Sequence, residues 1–495
     1  MSIFDEEKLK SISGNSNELS IVSYDVNSIQ KYIFQTSNIK AIMGSSKIIE
    51  EFDQKIESMN EYVVTAVGGT GMIIVPVNRE EELKEKIKTL FYQTVPGGEI
   101  TLSSVRFKKR ELIDGIQNVN NYTISPTIAG IKFENMDGKN SYSDIFKILS
   151  SEMQRQKSLN KPKMPLFEDV QRCELCGVMP ASSIQDSPDR DEGKLYICSA
   201  CKLKIDKGKE KIHDDNYAGE LADICLSEMD KNWLGFIKVD INNLGNLYSS
   251  IKNANEFKEK SKKIEDIISN SIKQVVKDFS LNGKYLVPIH GGDDLFMIVP
   301  ASKVIDIFKT LSLLLKSLDQ MKLSFSAGVG ISNIKMPIKF IFESAESLIS
   351  SAKKAAYRSN NNENFVAFKV ISSNSIDPVT EGILYEDEKT KNIYKLGFGI
   401  SVSQFFEDLE FVRNLREQKL IPFLQKTYSC IKDRYEIAGL NVNYFFARSR
   451  IGKVIEDPID FFNKFALKEN LQSENEKIVY ESKIPYLLEL SRLWG

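Results

Sequence analysis

The sequence predicts an α+β protein made of two β-α-β-β-α-β domains, ferredoxin-like in class, with a four-cysteine ribbon between them and a helical C-terminal domain. Three observations predict it. A strand–helix–hairpin–helix–strand pattern occurs twice, two Cys-x2-Cys knuckles separate the copies, and strand periodicity yields to helical periodicity after about residue 380. A chain of 495 residues is long enough for several such domains. The expected boundaries are 1–160 for the first domain, 161–232 for the ribbon and a helical linker, 233–375 for the second domain and 376–495 for the C-terminal domain.

The first copy opens with "LSIVSYDV" (19–26), an apolar, β-branched strand that closes on Asp25. A helical stretch containing "MGSSKIIEEF" follows, and "YVVTAVGGTGMIIVPV" (62–77) reads as two short strands joined at Gly68–Gly71. Then "REEELKEKIKTLFYQ" places Leu83, Ile87, Leu90 and Phe91 on one helical face, and "EITLSSVRFKK" (99–109) returns as a strand.

The second copy opens with "LGFIKVDI" (234–241), a strand closing on Asp240. A charged helix over about 253–279 leads to "KYLVPIHGGDDLFMIVP", two strands joined at Gly291–Asp294. The next helix aligns Val304, Phe308, Leu311, Leu315 and Leu318, and a strand (323–332), a helix (about 339–357) and a strand (364–371) complete the copy. Asp25-Val-Asn27 matches Asp240-Ile-Asn242, and "GGTGMIIVP" (68–76) matches "GGDDLFMIVP" (291–300) with one residue deleted. The shared order points to duplication. In this alignment Thr70–Gly71 stand where the second copy has Asp293–Asp294, so one half keeps carboxylates that the other lacks.

Between the copies, Cys173, Cys176, Cys198 and Cys201 follow the spacing C-x2-C-x21-C-x2-C. Two knuckles of this kind suit a tetrahedral four-thiolate Zn2+ site, and four thiolates leave no position open for a substrate, so the zinc is structural. The flanking "KSLNKPKMP" and "KGKEKIHDDNYAG" read as linkers, and Cys225 and Cys430 as buried apolar thiols. Stretches such as "SQFFEDLEFVRNLREQ" carry the helical reading of the C-terminal domain.

A net charge of −2 argues against a protein that coats nucleic acid by itself, though not against a subunit whose partners carry the nucleic acid. No leader-like apolar segment opens the chain and no run of 18 apolar residues occurs, so the expectation is a cytoplasmic protein with no membrane partner. Unpaired cysteine usage fits that reducing compartment. The two histidines, His213 and His290, are too few for a histidine-dependent hydrolase site, which leaves His213–Asp214 as a surface dipeptide.

The candidate chemistry lies with Asp240, Asp293 and Asp294. Gly and Asp suit a tight turn on dihedral grounds alone. Three clustered acids on neighbouring strands are nonetheless costly without a cation, and Mg2+ (or Mn2+) takes such oxygen ligands together with substrate phosphates. Gly291 and Gly292, lacking Cβ, would let a phosphate approach the backbone. Lys353 lies where a cation could meet phosphate oxygens or simply face solvent. Ser45 and Ser46, after Gly44, sit near an expected helix start, where N–H groups bind phosphate or hydroxyls cap.

The motifs "YDVNSIQKYIF", "MGSSKIIEEF", the four-cysteine ribbon, "KVDINNLG", "GGDDLFMIVP", "SFSAGVGIS" and "AESLISSAKK" stand in the order found in the large subunit of type III CRISPR effector complexes. Over residues 18–375 the chain resembles that two-palm subunit, which is related to GGDEF and nucleotide cyclases. The resemblance implies palm (cyclase-like) domains and synthesis of cyclic oligoadenylates from ATP, in a complex with other effector subunits, guide RNA and target RNA. It assigns Asp293 and Asp294 as the family's metal pair, Asp240 as their partner, the four cysteines as its zinc ribbon, and Lys353 as the lysine of the related cyclase "AK" motif. The family's HD nuclease domain has no counterpart here, so no such DNase activity is expected. Asn242 stands where many relatives have a second Asp, and Ser28 replaces a usual Gly.

The expected function is thus a nucleotidyltransferase with ATP between two palms, the first of them degenerate, and Mg2+ on the aspartates of the second. The rivals are a stand-alone nucleotide cyclase or cyclic-dinucleotide synthase, and a catalytically silent scaffold subunit.

Overall fold

The computed structural model describes residues 2–14, 16–116, 142–159, 170–186, 193–359, 363–371, 383–386, 393–396, 399–434, 468–474, 477–482 and 484–494. They form two compact units. The first holds Met1–Asp223, Asn243–Asp293 and Gln320–Lys322, and the second Ile224–Asn242, Asp294–Asp319 and Leu323–Gly495.

In chain order the first unit begins α1 (Glu6–Ser13), β1 (Glu18–Val26), α2 (Ile29–Ile33), α3 (Ile39–Glu57), β2 (Tyr62–Val67), β3 (Thr70–Pro76), α4 (Glu80–Thr94) and β4 (Ile100–Lys108). After α5 (Lys109–Asp114) and α6 (Tyr142–Leu159) come the ribbon strands β5 (Ser183–Asp186) and β6 (Lys194–Ile197) and then α7 (Ser199–Asp214). The palm sheet runs β2-β3-β1-β4, the strand order that the β-α-β-β-α-β pattern demands. Strand β1 is central and feeds two cores. Leu19 and Ile21 point into a cluster with Leu9, Ile145 and Ile148, while Val22, Tyr24 and Val26 point into one with Phe52, Ile87 and Phe91. Burial on both faces explains why this strand reads as an almost unbroken apolar run rather than an alternation.

The segment "KGKEKIHDDNYAG", expected to be a linker, is helical as far as Asp214 and packs on α3. A Cβ on Gly44 would lie 1.7 Å from the Lys204 carbonyl oxygen, and one on Gly208 1.7 Å from that of Lys40. Gly208 therefore serves a backbone-to-backbone helix crossing, a use of glycine that composition alone cannot tell from flexibility. Of the other expected linker, residues 160–165 lie outside the described residues.

The second palm contributes β7 (Trp233–Asn242), then α8 (Leu244–Ser249), α9 (Ala254–Asp278) and β8 (Leu286–Gly291), of which only β7 belongs to the second unit. Next are β9 (Asp294–Pro300), α10 (Val304–Leu314), β10 (Ser324–Asn333), α11 (Ile338–Arg358) and β11 (Phe365–Ile371). The C-terminal part adds β12 (Ile383–Glu386), β13 (Ile393–Leu396), β14 (Ile400–Ser401), α12 (Val402–Glu417), α13 (Ile421–Arg434), β15 (Lys468–Glu474), β16 (Lys477–Ser482) and α14 (Ile484–Ser491). The second unit's palm sheet runs β14-β11-β10-β7-β9. Its core takes the predicted face of α10, with Val304, Phe308 and Leu311 fully buried.

The C-terminal helices are accompanied by a sheet in the order β12-β13-β16-β15, which the sequence reading did not include. Those strands are only four to seven residues long, and β15 (KENLQSE) has no apolar alternation to reveal it. Cys225, expected to be buried, is half-buried, with its thiol 3.4 Å from the Ser227 carbonyl oxygen. The side chain of Cys430 lies outside the described residues. His213 is exposed, as a surface dipeptide requires.

Candidate active site

Strand β7 carries Asp240 one residue from its apolar body, and β9 begins on Asp294. The antiparallel register sets these two aspartates directly opposite each other. Opposed residues on neighbouring strands have Cα atoms about 5 Å apart, and like charges in that position repel. Each carboxylate has a lysine. Lys353 of α11 places Nζ 2.7 Å from Asp240 Oδ1, and Lys238 of β7 places Nζ 4.0 Å from Asp294 Oδ1.

Lys238 is buried inside the sheet, with its ammonium bonded to Glu346 of α11 and set 4.5 Å from the centre of the Phe342 ring. Glu346 and Lys353 are seven residues apart, two helical turns, so α11 presents both on one face. Asp240, Asp294 and Glu346 thus face Lys238 and Lys353, and within this unit the carboxylates exceed the ammonium groups by one.

The turn itself needs glycine at one position: Gly292 has φ 63°. A Cβ on either Gly291 or Gly292 would meet nothing within 4 Å, so the turn is open to an approaching group. Asp293 ends the first unit in that turn, and its charge reaches the Tyr248 hydroxyl, whose pKa is raised chiefly by burial. His290 bonds Ser269 Oγ through Nε2 at 3.0 Å, and burial lowers its pKa, so it stands as a neutral structural imidazole. Asn242 is held within the sheet. It accepts from Ser326 Oγ (3.1 Å) and donates to Ser324 Oγ (3.2 Å) of β10.

Ser45 and Ser46 do not lie at a helix start. Helix α3 begins at Ile39 with Asn38 as its cap, so both serines are interior. Ser45 is fully buried and donates to the Ala41 carbonyl, while Ser46 accepts from Lys211 of α7. The Ser45 hydroxyl is used within α3 and that of Ser46 in the contact with α7, and the backbone N–H groups of that turn are not helix-end donors.

The first palm repeats the geometry with different chemistry. Asp25 is opposite Thr70 on β3, as Asp240 is opposite Asp294 on β9. Counting from that register, Gly69–Thr70, not Thr70–Gly71, stand where the second palm has Asp293–Asp294, and the deleted residue falls in the turn. Asn27 accepts from Thr101 Oγ1 (2.9 Å) on β4, echoing Asn242 and Ser326. Lys157 of α6 places Nζ 2.7 Å from Asp25 Oδ1. The hairpin is held from within by Asp53 of α3, which accepts from Gly69 N (2.8 Å) and Tyr24 Oη (2.9 Å). Burial pushes the Asp53 carboxyl up to about 6, against the lowering effect of those two bonds.

Sequence reasoning missed Lys238, Glu346, Lys157 and Asp53. A signal existed for Lys238: it is a charge within "LGFIKVDI", two residues from Asp240 and hence on the same face.

The four cysteines converge, with sulfur atoms all within 4.8 Å of one another. A tetrahedron of thiolates with metal–sulfur bonds near 2.3 Å has sulfurs about 3.8 Å apart, so the donor set fits a four-coordinate metal. Gly177, at φ 68°, closes the first knuckle, with its N–H bonded to the Cys173 carbonyl (2.8 Å). Cys198 caps α7, and Lys204, six residues on, reaches the Tyr32 carbonyl at 3.1 Å.

Among the described residues no helix is long and apolar enough to cross a membrane. Residues 233–362 match the family Cas10/Cmr2, second palm domain. No curated protein matches the chain. Its fold is similar to that of the Csm1–Csm4 cassette in complex with pppApA (TM-score 0.57, 12% identity, covering 98% of this chain and 70% of that one). It is similar as well to the cassette in complex with cA4 (TM-score 0.53, 13% identity, 96% and 69%) and to Csm1 in T. onnurineus (TM-score 0.55, 14% identity, 96% and 70%). Identities this low establish shared fold. The chain is Cas10-like, with two palms and a four-cysteine ribbon, and its match to the Cas10/Cmr2 second palm domain spans the strands that carry Asp240 and Asp294.

Proposed function

We propose that this chain is a cytoplasmic nucleotidyltransferase that makes cyclic oligoadenylates from ATP, as the signalling subunit of an RNA-guided type III CRISPR complex. The observation that carries the reading is the cross-strand pair Asp240–Asp294 with its two lysines, in a palm whose sequence matches Cas10/Cmr2. The Csm1–Csm4 structures, which hold cA3, cA4 and AMPPNP, support the substrate and product class. They also support a neighbouring effector subunit as partner. Guide and target RNA are proposed as the gate.

Asp240, Asp293 and Asp294 are hard oxygen donors carrying an excess of negative charge, which fits Mg2+ or Mn2+. When bound, such ions polarise the α-phosphate and neutralise the leaving pyrophosphate. The chain's own groups do the rest. The open turn at Gly291–Gly292 admits phosphate oxygens to the backbone, and Lys353 turns from Asp240 to those oxygens. Lys238 and Glu346 hold the Asp294 side of the site in place. A 3′-hydroxyl then attacks the α-phosphorus and gives up its proton to solvent, the α–β phosphoanhydride bond breaks, and pyrophosphate leaves. The first palm, with Gly69–Thr70 in place of acids, takes a nucleotide without a metal. The four cysteines hold a structural Zn2+.

The test is mass analysis of products from ATP, with and without target RNA, for the native complex and for Asp293→Ala with Asp294→Ala. The double variant should make no product while keeping its unfolding curve and its cysteine-bound metal. An undiminished yield overturns the mechanism, and product without any RNA overturns the gating.

A further inference from the structure

A cavity of about 970 Å3 opens in the first unit, and its wall includes Asp25, Thr70, Gly71, Met153 and Gln154. That volume suits a nucleotide-sized ligand. Its floor is the strand end and hairpin of the first palm, the place that in the second palm carries the carboxylates. Here the acids opposite Asp25 are gone and Asp25 is already neutralised, because Lys157 Nζ lies 2.7 Å from its Oδ1. Lys157 follows Met153 and Gln154 on α6 by four and three residues, so it shares their helical face.

The Asp25–Lys157 pair has no net charge with which to hold a divalent ion, and the rest of the wall carries Glu57, Glu265 and Asp266 together with Lys258 and Lys262. A polyphosphate arriving at this end of the cavity still needs a cation. An ammonium carries three N–H donors, and Asp25 takes one of them. Asp25 also fixes the lysine's direction, so little rotamer freedom remains to be lost on binding.

We propose that Lys157 is the fixed cation of the first palm. It receives the polyphosphate of a nucleotide in this cavity, at the position where the second palm is read as using a metal, and Asp25 is the residue that positions it. The inference rests on the reading that the first palm takes a nucleotide.

The experiment titrates ATP and adenosine by calorimetry into the full chain carrying Asp240→Asn and Asp294→Asn, in buffer without divalent cation. Adding Lys157→Met should weaken ATP about tenfold or more, as expected for loss of a charged contact to phosphate, and leave adenosine unchanged. Lys157→Arg should keep most of the ATP affinity. Unchanged ATP binding by Lys157→Met overturns the inference alone. Equal loss for ATP and adenosine also overturns it, since the lysine is then structural. If the parent chain binds no ATP, the reading of the first palm as a nucleotide site fails and the inference falls with it.

Discussion

Lys353 Nζ sits 2.7 Å from Asp240 Oδ1, on the strand that sets Asp240 opposite Asp294. In the other palm a lysine from the corresponding side of the fold makes the same contact with Asp25. Two palms that differ at their hairpins therefore share one arrangement, a strand-end aspartate under a helix-borne ammonium. In the second palm, on the proposed reading, that ammonium would compete with a metal for Asp240 and, once displaced, be available to phosphate.

Lys353→Met tests this double use. Loss of a charge-assisted contact worth about 1.5–3 kcal/mol should lower product formation roughly 10- to 100-fold. Binding of Mn2+ without nucleotide, read by electron paramagnetic resonance, should tighten, because the competing cation is gone. Product formation at the unsubstituted level would remove Lys353 from the mechanism.

The ribbon makes a separate prediction. Purified protein should contain about one zinc per chain, and Cys201→Ser should abolish it. Thiols must lose their protons to bind metal, so zinc should be released as pH falls. Metal analysis and a colorimetric chelator check both. The Asp240–Asp294 pair is on a different unit's sheet, so Mn2+ binding there should survive a conservative ribbon lesion that leaves the chain folded.

Asp53 gives a pH dependence with a definite sign. Its carboxyl is raised from 3.8 to about 6 in the folded chain, chiefly by burial. A raised acid contributes stability that is present in full below the unfolded value and is lost as pH climbs to the folded one. Stability should therefore fall between about pH 4 and pH 6, by about 3 kcal/mol from this group. Asp53→Asn should flatten that slope and be no less stable than the unsubstituted chain at pH 7.5. The amide resonance of Gly69, which donates to Asp53, should titrate near pH 6; a flat response would show the carboxyl to be unperturbed.

What was legible in the sequence follows from how each feature is encoded. The strand-closing aspartates and the apolar faces of α4 and α10 repeat with regular periods, so these elements could be read from the sequence. The four cysteines have a spacing that few other structures use. Lys157 had no such signature. If the shared dipeptides Ser150–Ser151 and Ser350–Ser351 are set equal, it falls one helical turn beyond the position of Lys353, at the start of what reads as a linker. Position along a helix matters less to an ammonium on a long side chain than to a backbone, so the contact is kept while the alignment is not. The first hairpin was aligned one residue out for a related reason: only the register with β1 fixes where a turn loses its residue.

The α3–α7 crossing yields the last prediction. Gly44 and Gly208 bring the two helices together so closely that a methyl on Gly44 would lie 1.7 Å from the Lys204 carbonyl oxygen and 2.6 Å from the Gly208 backbone nitrogen. Both neighbours are backbone, so no side chain can rotate away, and the helices must separate. Overpacking of this kind costs about 1–3 kcal/mol or more. Separation would also pull Lys204 from the Tyr32 carbonyl and shift α7, whose first turn carries Cys198 and Cys201. Gly44→Ala should therefore lower the unfolding midpoint and increase the rate at which a chelator strips the cysteine-bound metal. Ser45→Ala on the same turn loses only a bond to the Ala41 carbonyl and should do neither. If Gly44→Ala unfolds and releases metal like the unsubstituted chain, the close crossing is not what holds the ribbon helix to the first palm.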